Sequence, residues 1–319
     1  MEKNSDNIAI RVVNLTKYFG DLKAVDGLSL EVRRGEVFGF LGPNGAGKTT
    51  SINMICGLLK PSEGEIFING NKVSGSGSKD IQTRVGICPQ NIILWPKLTC
   101  YEQLVFMAKM YNVPAVIARR RADILLIQLG LQEKRNKLAN TLSGGMQRRL
   151  NVLMALIHDP DFVIFDEPEA GLDPQSRLLV RNFIIHTAKE KTVIFTTHNM
   201  DEADRVSDRV AIIDRGKLLK IGTPGELKKS IGKGDTMELT FQTEDDHKLT
   251  NAIKDLKQLG ITILKSENKL IIKSMNMIEK VYGIYRVLDS ANINVKELNM
   301  RENTLEDVFI HLTGRRLRQ

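Results

Sequence analysis

Short apolar runs and helical stripes alternate along most of this chain. Val37-Phe38-Gly39-Phe40-Leu41 reads as a short buried strand. The segment Thr50–Leu59 behind it places Ile52, Ile55 and Leu59 on one helical stripe. Residues 8–95 read as strands plus that one helix, with Ile68-Asn69-Gly70-Asn71 as an Asn-Gly hairpin turn. Ser74–Ser78 reads as a flexible surface connection. From Pro96 the texture becomes helical. Thr99-Cys100-Tyr101-Glu102 is a capping box, and Tyr101, Leu104, Val105 and Ala108 share one apolar face. A second helix follows Pro114 and stops near Gly130; a third covers Met146–Ile157, capped by Ser143, with Leu150, Leu153, Met154 and Ile157 inward.

Strand texture returns at Phe162–Asp166, Thr192–Thr197 and Arg209–Asp214, followed by an Arg215-Gly216 turn. The capping box Thr223-Pro224-Gly225-Glu226 opens a further helix. Ser230–Gly234 is linker-like and marks a boundary. Beyond it the order is strand 237–242, helix 248–259, strand 262–265, strand 269–273, helix 278–290 and strand 294–298. That is βαββαβ, a ferredoxin-like pattern. The expected organisation is an α/β domain over residues 1–230, with a helical subdomain at about 96–160, and a small α+β domain over 235–319.

Chemistry concentrates in the first domain. Gly42-Pro43-Asn44-Gly45-Ala46-Gly47-Lys48-Thr49 fits the P-loop spacing, and it lies between a predicted strand and a predicted helix as that motif requires. Glycines there let backbone N–H groups curl around a phosphate, and the helix N-terminus adds its positive end. Lys48 would reach the β- and γ-phosphates, and the Thr49 hydroxyl would ligate Mg²⁺. Asp166 and Glu167 end an apolar strand, where open α/β sheets bind ligands. Neighbouring side chains on a strand point differently, so Asp166 can hold the metal shell while Glu167 activates water. Ser143-Gly144-Gly145 before a helix is by itself an ordinary capped start.

Composition excludes more than it assigns. At 319 residues the chain suits two domains, and no run of about 18 apolar residues could span a bilayer. The polar start Met1–Asn7 lacks an apolar h-region, and Cys56, Cys88 and Cys100 follow no pairing pattern, which fits a reducing cytoplasm. The net charge of +8 is scattered, with short clusters at Arg119–Arg121, Lys228-Lys229 and Arg315–Arg318. No arginine-rich tract with interleaved aromatics is present, so no nucleic-acid partner is expected. Anionic lipid headgroups fit such a surface better, and a generally solvated basic surface fits it at least as well.

Taken in order, the motifs over roughly residues 8–230 resemble the ATP-binding subunit of an ABC transporter. Gly42–Thr49 resembles Walker A, Val163–Asp166 Walker B, Leu142–Gln147 the signature sequence, and Gly171-Leu172-Asp173 the D-loop. The resemblance implies a P-loop cassette that binds ATP and Mg²⁺. Its nucleotide contacts would be Gly42, Pro43, Asn44, Gly45, Ala46, Gly47, Lys48, Thr49, Thr50, Gln90, Asp173 and, from a second copy of the chain, Ser143, Gly144 and Gly145. Gln90 is similar to the Q-loop glutamine, which would join Thr49 and Asp166 at the metal. His198, in Phe195–His198, is similar to the switch histidine. With Glu167 and Lys48 it would form the catalytic set. Phe19 is the expected adenine-stacking aromatic and Tyr18 the second choice. The segments Met200–Ala203, Gly222–Pro224 and Asn303–Arg315 are similar to drug- and sodium-export ATPases. Those work as dimers, here expected as homodimers, on separate transmembrane permeases at the inner face of the membrane.

One position departs from the family pattern. Glu169 stands where a small or hydroxyl residue is usual, placing a further anion near the site unless its side chain points to solvent. Besides a P-loop kinase, which would not explain Ser143-Gly144-Gly145, two other readings compete: a soluble ABC-type ATPase acting on ribosomes or DNA, and a non-hydrolytic nucleotide sensor. The former usually carries two cassettes or a coiled-coil insertion, and the pair Asp166-Glu167 with His198 argues against the latter.

Overall fold

The computed structural model describes residues 7–73, 83–231, 235–241, 246–266, 269–274 and 277–314. The chain forms two compact units that divide between Pro224 and Gly225. The Ser74–Ser78 connection, most of the 230–234 linker and the Arg315–Arg318 cluster lie outside the described residues.

In the first unit, β1 (Ile8–Phe19) and β2 (Leu22–Arg33) pair antiparallel. β1 also pairs with β4 (Glu63–Ile68), which turns back into β5 (Asn71–Lys72). Their inward positions alternate with exposed ones, as one-sided burial of an antiparallel sheet requires. The β4–β5 turn is the expected one, with Asn69 and Gly70 both at positive φ, 51° and 80°.

The second sheet runs β10-β9-β3-β8-β7-β6. Here β3 is Val37–Leu41, β6 Val85–Cys88, β7 Phe162–Asp166, β8 Thr192–Thr197, β9 Arg209–Asp214 and β10 Lys217–Gly222. All neighbours are parallel except the β9–β10 edge pair. Every residue of β3, β7 and β8 is buried, because helices and the antiparallel sheet cover both faces. Phe38, Phe40, Ile164 and Ile194 pack with β1 and β2 residues on one face; Val163, Phe165, Val193 and Phe195 pack towards the helices on the other.

Helix α1 (Lys48–Ile55) follows the glycine loop. The helical subdomain holds α2 (Cys100–Met110), α3 (Ala115–Gln128) and α4 (Gly144–Met154). The Thr99–Glu102 capping box forms in full. Helix limits differ from the periodic reading in α1 and α4, the latter ending at Met154 rather than Ile157. α1 begins at Lys48 and ends at Ile55, so Leu59 packs from a turn. α4 begins at Gly144, because Ser143 caps the Met146 N–H and so makes both glycines part of the first turn. Helices α5 (Pro174–Thr187) and α6 (Met200–Val206) flank the remaining strands, and α7 (Pro224–Ser230) follows β10.

The second unit takes in α7 from Gly225 onward and contains β11 (Asp235–Phe241), α8 (Asp246–Lys257), β12 (Thr262–Ser266), β13 (Lys269–Ser274), α9 (Met277–Ser290) and β14 (Val295–Arg301). Its antiparallel sheet is ordered β12-β13-β11-β14, the ferredoxin-like arrangement. Met237, Leu239, Leu270 and Ile272 form its core with Leu256, Ile284 and Leu288 of the two helices. A terminal helix, α10 (Leu305–Thr313), is closed by Gly314 in the left-handed conformation. Among the described residues, no helix is long and apolar enough to cross a membrane.

Candidate functional site

The carboxyl ends of β3, β6, β7 and β8 bring the predicted groups together. The loop 42–47 leaves β3 and enters α1 through Gly47, whose φ of 97° is left-handed. A Cβ at Gly47 would stand 2.6 Å from the Ala24 carbonyl oxygen, and one at Gly42 would stand 2.2 Å from that of Ile213. Backbone on both sides therefore fixes these glycines. Asn44 and Gly45 are exposed at the tip, Gly45 with φ of 78°, while Ala46 is buried and tied through its carbonyl to the Gly216 N–H.

Lys48 lies almost wholly buried at the start of α1. Its Nζ donates to the carbonyls of Gly42 at 2.7 Å and Pro43 at 3.2 Å, and stands 3.6 Å from Glu167 Oε1. Burial lowers its pKa, opposed by the carboxylates of Glu167 and Asp166. The next residue, Thr49, donates its hydroxyl to Asp166 Oδ2 at 3.1 Å, and Thr50 beside it is half-buried. The other Asp166 oxygen accepts from the Thr196 hydroxyl at 2.5 Å.

Glu167 is the centre of the cluster. Its Oε1 faces His198 Nδ1 at 3.2 Å and its Oε2 accepts from Gln90 Nε2 at 3.1 Å. The side chain is buried while that of His198 is half exposed. Its backbone holds φ at 47°, a left-handed conformation that costs a non-glycine residue about 1–3 kcal/mol. The surrounding bonds over-determine it: the Glu167 N–H donates to Thr196 Oγ1 at 2.9 Å, and its carbonyl accepts from Arg148 Nη2 at 2.6 Å. Asp166 thus points to Thr49 and Thr196, and Glu167 to Lys48, Gln90 and His198.

Arg148 is a residue of the site that sequence reasoning missed. It is 2% exposed, and it donates to five carbonyls: Pro89, Gln90, Asp166, Glu167 and Pro168. One guanidinium on α4 thereby ties the Gln90 loop to the strand end that carries both carboxylates. Asn151, one turn on, adds bonds to Pro89 O and Cys88 Sγ. The available signal was a second arginine inside a helix whose other stripe is apolar.

The remaining predicted residues form two separate groups. Ser143 and Gly144 are exposed, and a Cβ on Gly144 would meet nothing within 4 Å. Gly145 lies close to Asp173 and Ser176, where a Cβ would be 3.4 Å from Asp173 Oδ2 and 3.2 Å from Ser176 Oγ. Asp173 is the N-cap of α5; the Ser176 N–H bonded to its carboxylate lowers its pKa. Among the described residues, no hydrogen bond or ion pair joins Ser143, Gly144 or Gly145 to the 42–49 loop. Phe19, 49% exposed, and Tyr18, 40% exposed, end β1 as uncovered aromatics, with Lys17 Nζ 5.4 Å from the Phe19 ring centre.

Glu169 does not point to solvent. It is buried beside the site, its Oε1 accepting the Thr197 hydroxyl at 2.5 Å. Burial, more than the nearby Glu202 and Glu167 carboxylates, pushes its pKa up to about 7 against the pull of Thr197.

Comparison with known proteins agrees with this geometry. Residues 25–170 match the family model described as ABC transporter. Over 97% of this chain and 99% of the relative, the sequence is 38% identical to the linearmycin resistance ATP-binding protein LnrL of Bacillus subtilis (strain 168). It is 36% identical to the Nod factor export ATP-binding protein I of Ralstonia nicotianae, covering 97% and 95%. Among solved structures, the cbiO1 protein of Clostridium perfringens, part of the cbiONQ ABC transporter complex, superposes with a TM-score of 0.64. That match has 26% identity and covers 80% of this chain and 98% of that one. The chain therefore belongs to the ABC transporter family, as the ATP-binding, ATP-hydrolysing subunit of an exporter.

Proposed function

We propose that two copies of this subunit enclose ATP between them and that Glu167 of each copy activates the attacking water. The observation carrying this reading is the convergence of Lys48, Gln90 and His198 on one buried glutamate held in a strained backbone conformation. Lys48 and the N–H groups of 42–49 bind the phosphates. Glu167 takes the proton of the water, and His198, 3.2 Å from it, contacts the γ-phosphate side. Phe19 stacks on the adenine from its exposed position at the end of β1.

The donor set also suits Mg²⁺. A hydroxyl (Thr49), a carboxylate (Asp166) and an amide oxygen (Gln90) are hard oxygen ligands, and the first two already touch at 3.1 Å. When bound, the ion neutralises charge on the β- and γ-phosphates. Thr196, on the other Asp166 oxygen, holds that carboxylate in orientation.

Ser143, Gly144 and Gly145 serve the site of the opposite copy. They are unbonded to their own phosphate loop, and Ser143 caps a helix whose first-turn N–H groups suit a phosphate. Asp173, in contact range of Gly145, belongs to the same surface. The permeases are separate chains, and the subunit sits in the cytoplasm on the inner face of the membrane. The βαββαβ unit carries none of the nucleotide motifs and stabilises or regulates the dimer.

A mixing experiment tests the shared sites. Lys48→Ala disables the phosphate loop, and Gly144→Asp, placed where a side chain has open space, disables the surface offered to the other copy. Each variant alone is inactive. A dimer with one of each contains one doubly defective and one intact site, so an equal mixture recovers about a quarter of the wild-type rate. No recovery on mixing means that each site is built within a single chain.

A further inference from the structure

Glu169 is a buried carboxylate for which hydrolysis as described needs no role. Its Oε1 accepts the Thr197 hydroxyl, whereas Oε2 is buried with no partner. Thr197 ends β8 immediately before His198, and its Oγ1 also accepts the Asn199 N–H at 2.8 Å. The Glu169 carbonyl accepts the Leu172 N–H at 3.2 Å, and the Glu167 carbonyl accepts that of Ala170 at 3.1 Å. Beyond the bonds that Thr196 makes to Asp166 and Glu167, the bond from Thr197 to Glu169 therefore fastens the residue next to His198 to the turn that runs from Glu167 to Asp173.

We propose that Glu169 is a positioning residue of the ATPase site: its carboxylate holds Thr197, and with it His198, against the segment that carries Glu167. The inference rests on the assignment of Glu167 and His198 given above. Because the acceptor is an acid, the strength of the tether depends on its charge. An ionised carboxylate accepts a hydroxyl proton more strongly than a neutral one.

The charges around it are mixed. Glu167 lies on its own segment, Glu202 faces it from α6, and both disfavour its ionisation. Lys48 from α1 and Arg181 from α5 also feel its charge, and Arg181 is already engaged with Glu202 at 2.5 Å. With burial, this balance places the titration of Glu169 near neutrality. As the carboxyl ionises, the tether tightens and turnover rises.

The test compares ATPase kinetics of the full chain with those of Glu169→Gln and Glu169→Ala, from about pH 6 to about pH 8.5. Glutamine keeps an oxygen for Thr197 but cannot ionise. The expected result is a wild-type kcat that rises several-fold across this range and a component of that rise that Glu169→Gln lacks. Its KM for ATP should stay within about twofold. Glu169→Ala should lower kcat about tenfold at the upper end with KM again nearly unchanged, and the glutamine should recover part of that loss. Superimposable pH profiles for wild type and Glu169→Gln, or wild-type kcat in Glu169→Ala, overturn the proposal. Turnover that survives Glu167→Gln would instead count against the underlying site assignment, a separate outcome.

Discussion

Arg148 donates through Nη1 to the Gln90 carbonyl at 2.7 Å, and through Nη2 to the Glu167 carbonyl at 2.6 Å. One side chain thus fixes the spacing between two residues that also touch directly, at Gln90 Nε2 and Glu167 Oε2. The guanidinium is suited to this because its five donors form a rigid planar fork, and all its acceptors here are backbone carbonyls.

Arg148→Lys is therefore not conservative. A lysine has three donors on a tetrahedral head, and of the five carbonyls those of Pro89 and Glu167 keep another donor, Asn151 and the Ala170 N–H, so the loss falls on Gln90, Asp166 and Pro168 wherever one ammonium cannot reach all three. The expected cost is about 2–4 kcal/mol in denaturant unfolding of the first unit, with a lower kcat as Gln90 and Glu167 lose their common support. Unchanged stability in Arg148→Lys would mean that the five bonds are redundant.

Glu169 gives a pH dependence of stability whose sign is fixed. Its pKa is raised from an ordinary 4.5 to about 7 in the folded protein. Protonation therefore favours the fold. That contribution is complete below about pH 4.5 and is lost as pH rises through about 7. Glu169→Gln should match the wild type at low pH and exceed it at about pH 8, by on the order of 2–3 kcal/mol. Thermal or denaturant midpoints at the two pH values measure this, and equal differences at both would place the titration elsewhere. The ionised form then trades stability for the tether to Thr197.

The terminal helix α10 depends on its reciprocal cap. Thr304 Oγ1 accepts the Asp307 N–H while Asp307 Oδ2 accepts the Thr304 N–H at 2.9 Å, and Arg301 Nη1 adds a bond at 2.6 Å to the same carboxylate. Burial alone would raise the Asp307 pKa, but Arg301 and Thr304 outweigh it and hold it down to about 2. A depressed acid stabilises above its ordinary pKa of 3.8 and loses that contribution as pH falls towards 2. Thr304→Ala should cost the helix about 1 kcal/mol, read as faster amide exchange over 305–313. Exchange rates equal to those of the wild type would show that packing of Leu305, Val308 and Phe309 suffices.

The parts of the site legible in the sequence were those fixed by short spacing. The loop 42–49, the strand-end pair Asp166-Glu167 and the cap at Ser143 each depend on local backbone geometry, so a few consecutive residues specify them. The element order of the second unit was legible for the same reason, from alternating strands and striped helices, and its core holds Met237, Leu239 and Ile272 together. Arg148 and Glu169 were not legible as buried groups. Their environment is assembled from segments 18–59 residues away for Arg148 and 28 residues away for Glu169. No local periodicity records such a contact, and a charged residue in an amphipathic pattern is ordinarily read as solvent-facing. The cap at Ser143 was legible, but Gly144 and Gly145 were left out of α4 because glycine lowers helix propensity, an effect that the cap offsets.

If Glu167 activates water in a site closed by a second copy, Glu167→Gln must separate binding from turnover. The amide keeps the shape that meets Gln90 and His198 but is no longer a base. ATP binding, followed by equilibrium titration, and ATP turnover should be measured on the same preparation together with its oligomeric state. The expected result is near-normal affinity, turnover reduced by about 10²–10⁴-fold, and a dimer that persists as long as ATP is present. Turnover at the wild-type rate would contradict it, as would loss of hydrolysis in a protein that stays monomeric with ATP bound.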